Sequence, residues 1–286
     1  HMHRFVLHNG EVIDAGDKNL SAGQVGLMNG WGVFSTIRVY DGVMFGWERH
    51  VARMQKDAAK MHVPFPEDAT ALQNDLYRLI DANEAREATL RVVVVRNQGG
   101  MWEGPAATRK FDTMAFTGPV NVWGASAKLG VVPNGRHAGS EFAGTKYTSW
   151  SENLMRYERA HEPGFDEGIL LNERGEVCEC ASANIFAVHG SHVSTTPLSS
   201  GCLPGVTRNV LLEDIHIPGI EIRERVLLLP DLGTADEVFI TSTTRELLPI
   251  SSIQGLSIRT GTAVRDRLQA AFSEYVRNYT ERHKRS

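Results

Sequence analysis

The sequence predicts an α+β protein of two domains, and three observations predict it. Strand-like runs follow one another directly across tight turns, which argues against a doubly wound sheet of alternating strands and helices. Amphipathic stretches of helical period are interspersed among these runs. The pattern breaks around Thr117-Gly118-Pro119 before a new strand region begins near Lys128, which predicts a small N-terminal α+β domain at 3–118, a linker at 119–126 and a larger C-terminal α+β domain at 127–286.

The opening run FVLHNGEVID reads as two strands joined at Asn9-Gly10, because Asn-Gly supplies the positive φ of a tight hairpin turn. Over residues 48–62, Val51, Met54, Ala58 and Met61 recur at helical spacing, with Arg49, Lys56, Asp57 and Lys60 between them. Pro64 and Pro66 end that helix, and a second runs over residues 71–83. LRVVVVR at 90–96 is a buried strand by its β-branched run. After the polar loop NGRHAGSEFAGTKYTS comes a helix with Leu154, Tyr157 and His161 near one face, stopped by Pro163-Gly164. GILLN with EVCEC, then NIFAV with HVSTT, read as consecutive antiparallel hairpins. A helix starts after Pro204-Gly205, EVFIT at 237–241 is a strand, and Val264, Leu268, Phe272, Tyr275 and Tyr279 stripe a final helix.

A chain of 286 residues, 42% of them hydrophobic, can bury a sizeable core. Its net charge of -4 leaves no basic surplus for a phosphate backbone, so nucleic acid is not an expected partner. No apolar stretch reaches the roughly 20 residues of a membrane span, and no signal peptide opens the chain, so a cytoplasmic protein is expected. His1-Met2 reads as the remnant of an expression tag. Cys178, Cys180 and Cys202 have neither disulfide nor zinc spacing and read as buried free thiols; no metal site is expected.

Lys146 stands apart among the lysines. It lies between a Gly-Thr pair and the aromatics Tyr147 and Trp150, a setting that desolvates an amine and favours the neutral form Schiff-base chemistry requires. Read alone, it is equally a structural or solvent-facing lysine. Glu179 alternates with Cys178 and Cys180 in EVCEC, so its carboxylate points either inward or out to solvent. Val206 and Thr207 open a helix whose free amides suit a phosphate, as an ordinary capped helix start also would explain. The cluster TSTTRE offers more hydroxyls, and Arg53 offers a guanidinium that can grip a phosphate with two bonds. Arg38, Arg91 and Arg96 are candidate carboxylate binders or strand-layer salt bridges. Trp31 and Trp102 are pocket walls or core.

The segments GVFSTIRVYDG, ERHVARM, GTKYTSWSEN, DEGILLNERGEVCECASANIF, LPGVTRNVLL and DEVFITSTTRELLPI occur in this order from about residue 30 to 249. In order and spacing the chain resembles the class IV aminotransferases, the family of branched-chain and D-amino-acid aminotransferases, R-selective amine transaminases and aminodeoxychorismate lyases. The resemblance implies a fold-type IV enzyme, D-amino-acid aminotransferase-like, with pyridoxal 5′-phosphate (PLP) between its domains and a homodimeric assembly. It implies that Lys146 carries the cofactor and shuttles the substrate's α-proton, and that Glu179 pairs with the pyridine nitrogen. Arg53, Val206, Thr207, Ser242 and Thr243 then hold the phosphate, and Asn184 shapes the site. Phe34, Arg38, Arg96, Thr243 and Thr244 are the implied substrate contacts.

The function implied is amino transfer between an amino acid, best an apolar or branched-chain L-amino acid, and a 2-oxo acid. FSTIR, with Ser-Thr at 35–36 where branched-chain enzymes usually show Glu-Gly, is closer to aminodeoxychorismate lyases, which release pyruvate and 4-aminobenzoate; LPGVTR is closer to the branched-chain form. Transamination of D-amino acids or R-amines is a further alternative, and a PLP-fold binding protein without turnover is the non-enzyme one. YTSWS after Lys146 lacks the usual Asn-Tyr, leaving Ser149 or Ser151 as candidate partners of the cofactor's phenolic oxygen. Arg245 occupies a position that is often small.

Overall fold

A computed structural model describes residues 1–17 and 20–286. Contacts group them into two compact units, one of His1–Asn121, Lys146–Trp150 and Asn278–Ser286, the other of Val122–Thr145 and Ser151–Arg277. The sequence reading keeps Lys146 with the chain on either side of it; by contacts, Lys146–Trp150 groups with the first unit.

The first unit contains β1 (Phe5–His8), β2 (Glu11–Asp14), α1 (Val25–Asn29), β3 (Gly32–Tyr40), β4 (Val43–Met44), α2 (Trp47–Met61), α3 (Ala69–Ala82), β5 (Ala88–Arg96) and β6 (Phe111–Gly118). Its sheet runs β2-β1-β6-β5-β3-β4 with every neighbouring pair antiparallel. Asn9 (φ 49°) and Gly10 (φ 84°) make the expected turn between β1 and β2. Val33, Ile37 and Val39 of β3 join Leu90, Val92 and Val94 of β5 in a core with Met54, Leu76 and Leu79 of the helices. Each such side chain, fully buried, contributes about 1.5–3 kcal/mol.

Helix α2 differs from its sequence pattern in two ways. Its buried face holds Trp47, His50, Val51, Met54, Asp57 and Ala58, so Asp57, read as part of the polar face, is inside. Its end falls where the pattern places it, within a residue, but a left-handed cap rather than Pro64 makes the stop. His62 adopts the left-handed conformation (φ 54°), and its amide closes on the carbonyls of Ala58 and Ala59.

The second unit contains β7 (Ala127–Val132), α4 (Ser151–His161), β8 (Glu167–Leu171), β9 (Val177–Cys180), β10 (Asn184–His189), β11 (His192–Thr195), α5 (Val206–Glu213), β12 (Glu221–Glu224), α6 (Leu229–Thr234), β13 (Glu237–Ser242) and β14 (Glu246–Ile253); α7 (Ala263–Arg282) follows. The sheet order is β12-β11-β10-β13-β14-β7-β8-β9. The two expected hairpins, β8 with β9 and β10 with β11, are antiparallel. The sheet is nevertheless mixed, because β7 pairs parallel with β8 through the α4 crossover and also with β14. Every residue of β9 is buried, which places Glu179 and both flanking cysteines inside. All three thiols are free and buried. Burial pushes Cys202 up to about 11 and the other two further, so they remain protonated thiols. No described helix is long and apolar enough to cross a membrane.

The first unit is tied by a polar knot on Asp112. Its fully buried carboxylate accepts hydrogen bonds from Gln24 (2.9 Å), Asn97 (2.9 Å), Asn9 (3.1 Å) and Arg109 (2.7 and 3.0 Å), and meets His8 Nε2 at 2.9 Å. Burial alone would raise this carboxyl; the bonds from Arg109, His8, Asn97 and Asn9 outweigh it and hold it well below the usual carboxylate range. A depressed folded-state pKa gives stability that is present above the unfolded value, near 4, and is lost as pH falls below it. Urea midpoints are expected to drop as pH is lowered from about 4 toward 2, with Asp112→Asn showing a smaller acid-induced loss. Asp112→Ala is expected to cost about 3–5 kcal/mol at neutral pH by the same titration, since it strands buried donors.

Candidate active site

In the first unit, residues 146–148 dock on an edge of β3. The short β4 covers only Val39 and Tyr40, so the edge at 32–34 is open opposite β5. There Phe34 N donates to Lys146 O (3.3 Å), Thr148 N donates to Gly32 O (3.0 Å), and Tyr147 forms a bridge with Val33. The amide of Lys146 itself donates to Asp57 Oδ2 at 3.0 Å. These bonds deliver the lysine side chain to two aromatic faces: Nζ lies 4.6 Å from the centroid of Phe34 and 5.0 Å from that of Trp150, the rings meeting edge to face.

Arg53 and His50, one helical turn apart on α2, converge on Ser35 of β3. Arg53 Nη2 donates to Ser35 Oγ (2.8 Å), and that hydroxyl lies 2.6 Å from His50 Nδ1. Burial pushes the Arg53 guanidinium down to about 10 against the pull of Asp57, which leaves it cationic at neutral pH. His50, 1% exposed, is pushed well below its ordinary value by burial and by the charges of Arg53 and Lys146, so its imidazole is neutral. Lys146, Phe34 and Arg53 are thus brought together within this unit. His50, Ser35 and Asp57 join them unannounced. The seven-residue interval from His50 to Asp57, two turns of helix, is the signal that could have placed both on one face.

In the second unit Glu179, 5% exposed, accepts from Leu203 N at 2.6 Å and lies 3.9 Å from Arg136 Nη2. The solvent-facing alternative for this side chain is overturned: both faces of β9 are covered. Asn184 Nδ2 donates to Leu203 O (2.9 Å), so Glu179 and Asn184 hold the turn that leads into α5 from two sides. Gly205 caps α5 without a side chain, leaving the first-turn amides with no side-chain acceptor. Thr207 Oγ1 donates to Ser242 O (3.3 Å), joining that helix start to the turn carrying Thr243 and Thr244. Asn184, Val206, Thr207 and Ser242 therefore gather around Glu179. A buried carboxylate beside an anion-ready helix start fits a ring nitrogen and a phosphate.

The remaining candidates have structural partners. Arg38 pairs with Glu87 (2.9 Å), stacks on Tyr40 and donates to the carbonyl of Val39. Arg96 donates to the carbonyls of Gln98 (2.6 Å) and His62 (3.1 Å) and stacks on Trp31, whose indole N–H donates to Met61 O. Arg91 donates to Thr36 Oγ1 and lies over Phe34. Ser149 donates to Gly30 O; Trp102, read as pocket wall or core, is instead 83% exposed. Arg245 is buried, stacks on Trp123 and donates to Ser182 O (3.0 Å), bracing the turn that follows β13.

The fold is that of fold-type IV enzymes. The family described as amino-transferase class IV matches residues 32–253, and the chain belongs to it. Its cofactor is PLP. The branched-chain-amino-acid aminotransferase of Escherichia coli (strain K12) is 29% identical over 297 residues, covering 97% of this chain and 94% of that one. The D-alanine aminotransferase of Bacillus licheniformis is 29% identical over 260 residues, 90% of each chain. The crystal structure of Escherichia coli branched-chain amino acid aminotransferase matches with a TM-score of 0.88 at 27% identity, covering 96% of this chain and 95% of that one.

A Cβ added at Gly205 would lie 2.2 Å from Asn184 Oδ1, although the backbone there (φ -60°, ψ 145°) suits alanine. Gly205→Ala is expected to destabilise by about 1–3 kcal/mol, through overpacking alone, and to release PLP more readily. Thermal melting and the absorbance retained after gel filtration check both.

Proposed function

We propose that the chain moves an amino group between an apolar amino acid, branched-chain L-amino acids first, and a 2-oxo acid, with PLP held on Lys146. The observation carrying this reading is the half-buried Lys146 amine set against the rings of Phe34 and Trp150, which offer an apolar wall to a substrate side chain. The name of the Escherichia coli relative supports the same substrate class. Domains at 3–118 and 127–286 joined at 119–126 and a cytoplasmic location, both read from the chain's own pattern, and the homodimeric assembly implied by the family resemblance complete the reading.

Bound PLP acts as an electron sink for the charge left at the substrate α-carbon. Lys146 would anchor the group, and its Nζ is the base that would hold or move the substrate's α-proton. Glu179 would keep a proton on the cofactor's pyridine nitrogen, and its burial beside Leu203 N and Arg136 would limit competition from water. Arg53 and the amides and hydroxyl of Val206 and Thr207 bind the phosphate, with Ser242 and Thr243 beside them and Asn184 shaping the turn. Phe34, Thr243 and Thr244 face the substrate. Arg38 and Arg96 enter only by exchanging the partners described above. Ser35 bonds His50 and Arg53, so its hydroxyl does not favour the lyase reading.

Adding L-leucine, D-alanine or an R-amine separately to the PLP-loaded protein tests the reading through the visible absorbance. Bleaching by L-leucine with recovery on adding a 2-oxo acid is expected. Response to D-alanine alone reverses the handedness, and pyruvate release from aminodeoxychorismate without an amino acceptor selects the lyase. Lys146→Ala is expected to abolish turnover, and Glu179→Gln to lower kcat by about a hundredfold or more with a smaller change in KM.

A further inference from the structure

Asp57 is a buried carboxylate that none of the roles above uses. It stands on α2 one turn after Arg53, 5% exposed, and its Oδ2 accepts the main-chain N–H of Lys146 at 3.0 Å. Of the bonds that fix residues 146–148, those with Gly32 and Phe34 are made by main chain alone and need no particular side chain. The bond to Asp57 is different: a side chain chosen by the sequence reaches the lysine's own amide.

A serine or asparagine would supply the same acceptor without the cost of burying a charge. The charge therefore calls for a reason. Around it lie Arg53, Lys56 and Lys60 from its own helix and Lys146 from the loop. Burial pushes the Asp57 carboxyl up, and the Lys146 amide and the three cations of α2 offset that rise only in part. A negative charge here opposes that of Arg53 and stands beside the residue whose amine changes its bonding during the reaction.

We propose that Asp57 is a positioning residue for amino transfer: its carboxylate fixes the main chain of Lys146 and so aims Nζ, and its charge couples that lysine to Arg53. The inference rests on Lys146 being the cofactor lysine. Its aim matters because misplacing a reacting group by about 1 Å costs on the order of a hundredfold in rate.

The test compares PLP-loaded wild type, Asp57→Ala and Asp57→Asn in steady-state kinetics and in a pH titration of the bound cofactor's visible absorbance. Asp57→Ala, which removes acceptor and charge, is expected to lose about tenfold or more in kcat with KM for the amino donor held within about twofold. Asp57→Asn retains an acceptor and is expected to recover most of kcat. Both variants are expected to show the spectral midpoint at lower pH, since a cation at Lys146 loses a nearby negative charge. Wild-type kcat and midpoint in Asp57→Ala would overturn the proposal, as would equal losses of kcat in both variants. Should Asp57→Ala fail to fold by circular dichroism, Asp57→Asn decides through its midpoint. Borohydride reduction and peptide mapping of the wild type separate the underlying reading: a phosphopyridoxyl group on another lysine removes the basis for both, whereas one on Lys146 leaves the Asp57 result to stand or fall alone.

Discussion

The placing of Lys146 depends on an edge of β3 that its own sheet leaves open. Because β4 pairs only with Val39 and Tyr40, the amide of Phe34 and the carbonyl of Gly32 are unmatched by that strand, and residues 146–148 take them. Main-chain pairing of this kind fixes direction and register together. It accounts for a lysine distant in sequence grouping with the first unit, and for Phe34 serving as both strand residue and aromatic neighbour of the amine.

Around Glu179 the organising feature is a turn rather than an edge. Leu203 presents its amide to Glu179 and its carbonyl to Asn184, so two side chains from successive strands clamp one peptide segment. The clamp sets where α5 begins, and the absence of a Gly205 side chain keeps the entrance to that helix clear. In both units a charged group is held by backbone donors in a dry setting, where electrostatic bonds are stronger and an unpaired charge is costly.

Much of the fold was legible because its signals are local. Asn9-Gly10 specified a turn by its φ values, the β-branched run at 90–96 specified a buried strand, and the stripe on α2 specified a helix. The α4 crossover was not legible, since pairing β7 beside β8 and β14 is a long-range choice that no period in the sequence records. The family pattern pointed to Lys146, Glu179 and Arg53 as types in an order. It was silent on Asp57 and marked Ser35 only as a departure from the branched-chain form, not as the partner of His50 and Arg53, because a polar residue in a helical or strand pattern reads as surface unless its buried partner is known. Arg38 and Arg96 show the converse: cations that suit a carboxylate on paper are already engaged with Glu87 and with main-chain carbonyls.

The three interior cysteines bear on how this protein can be handled. Their sulfurs are shielded and held in the thiol form, whereas alkylating reagents and oxidants attack exposed thiolate. A single cysteine introduced on an exposed loop would then be the fastest-reacting sulfur in the folded chain. Fluorophores or spin labels can be attached there against the native background, with no need to replace Cys178, Cys180 or Cys202 and disturb the packing around Glu179.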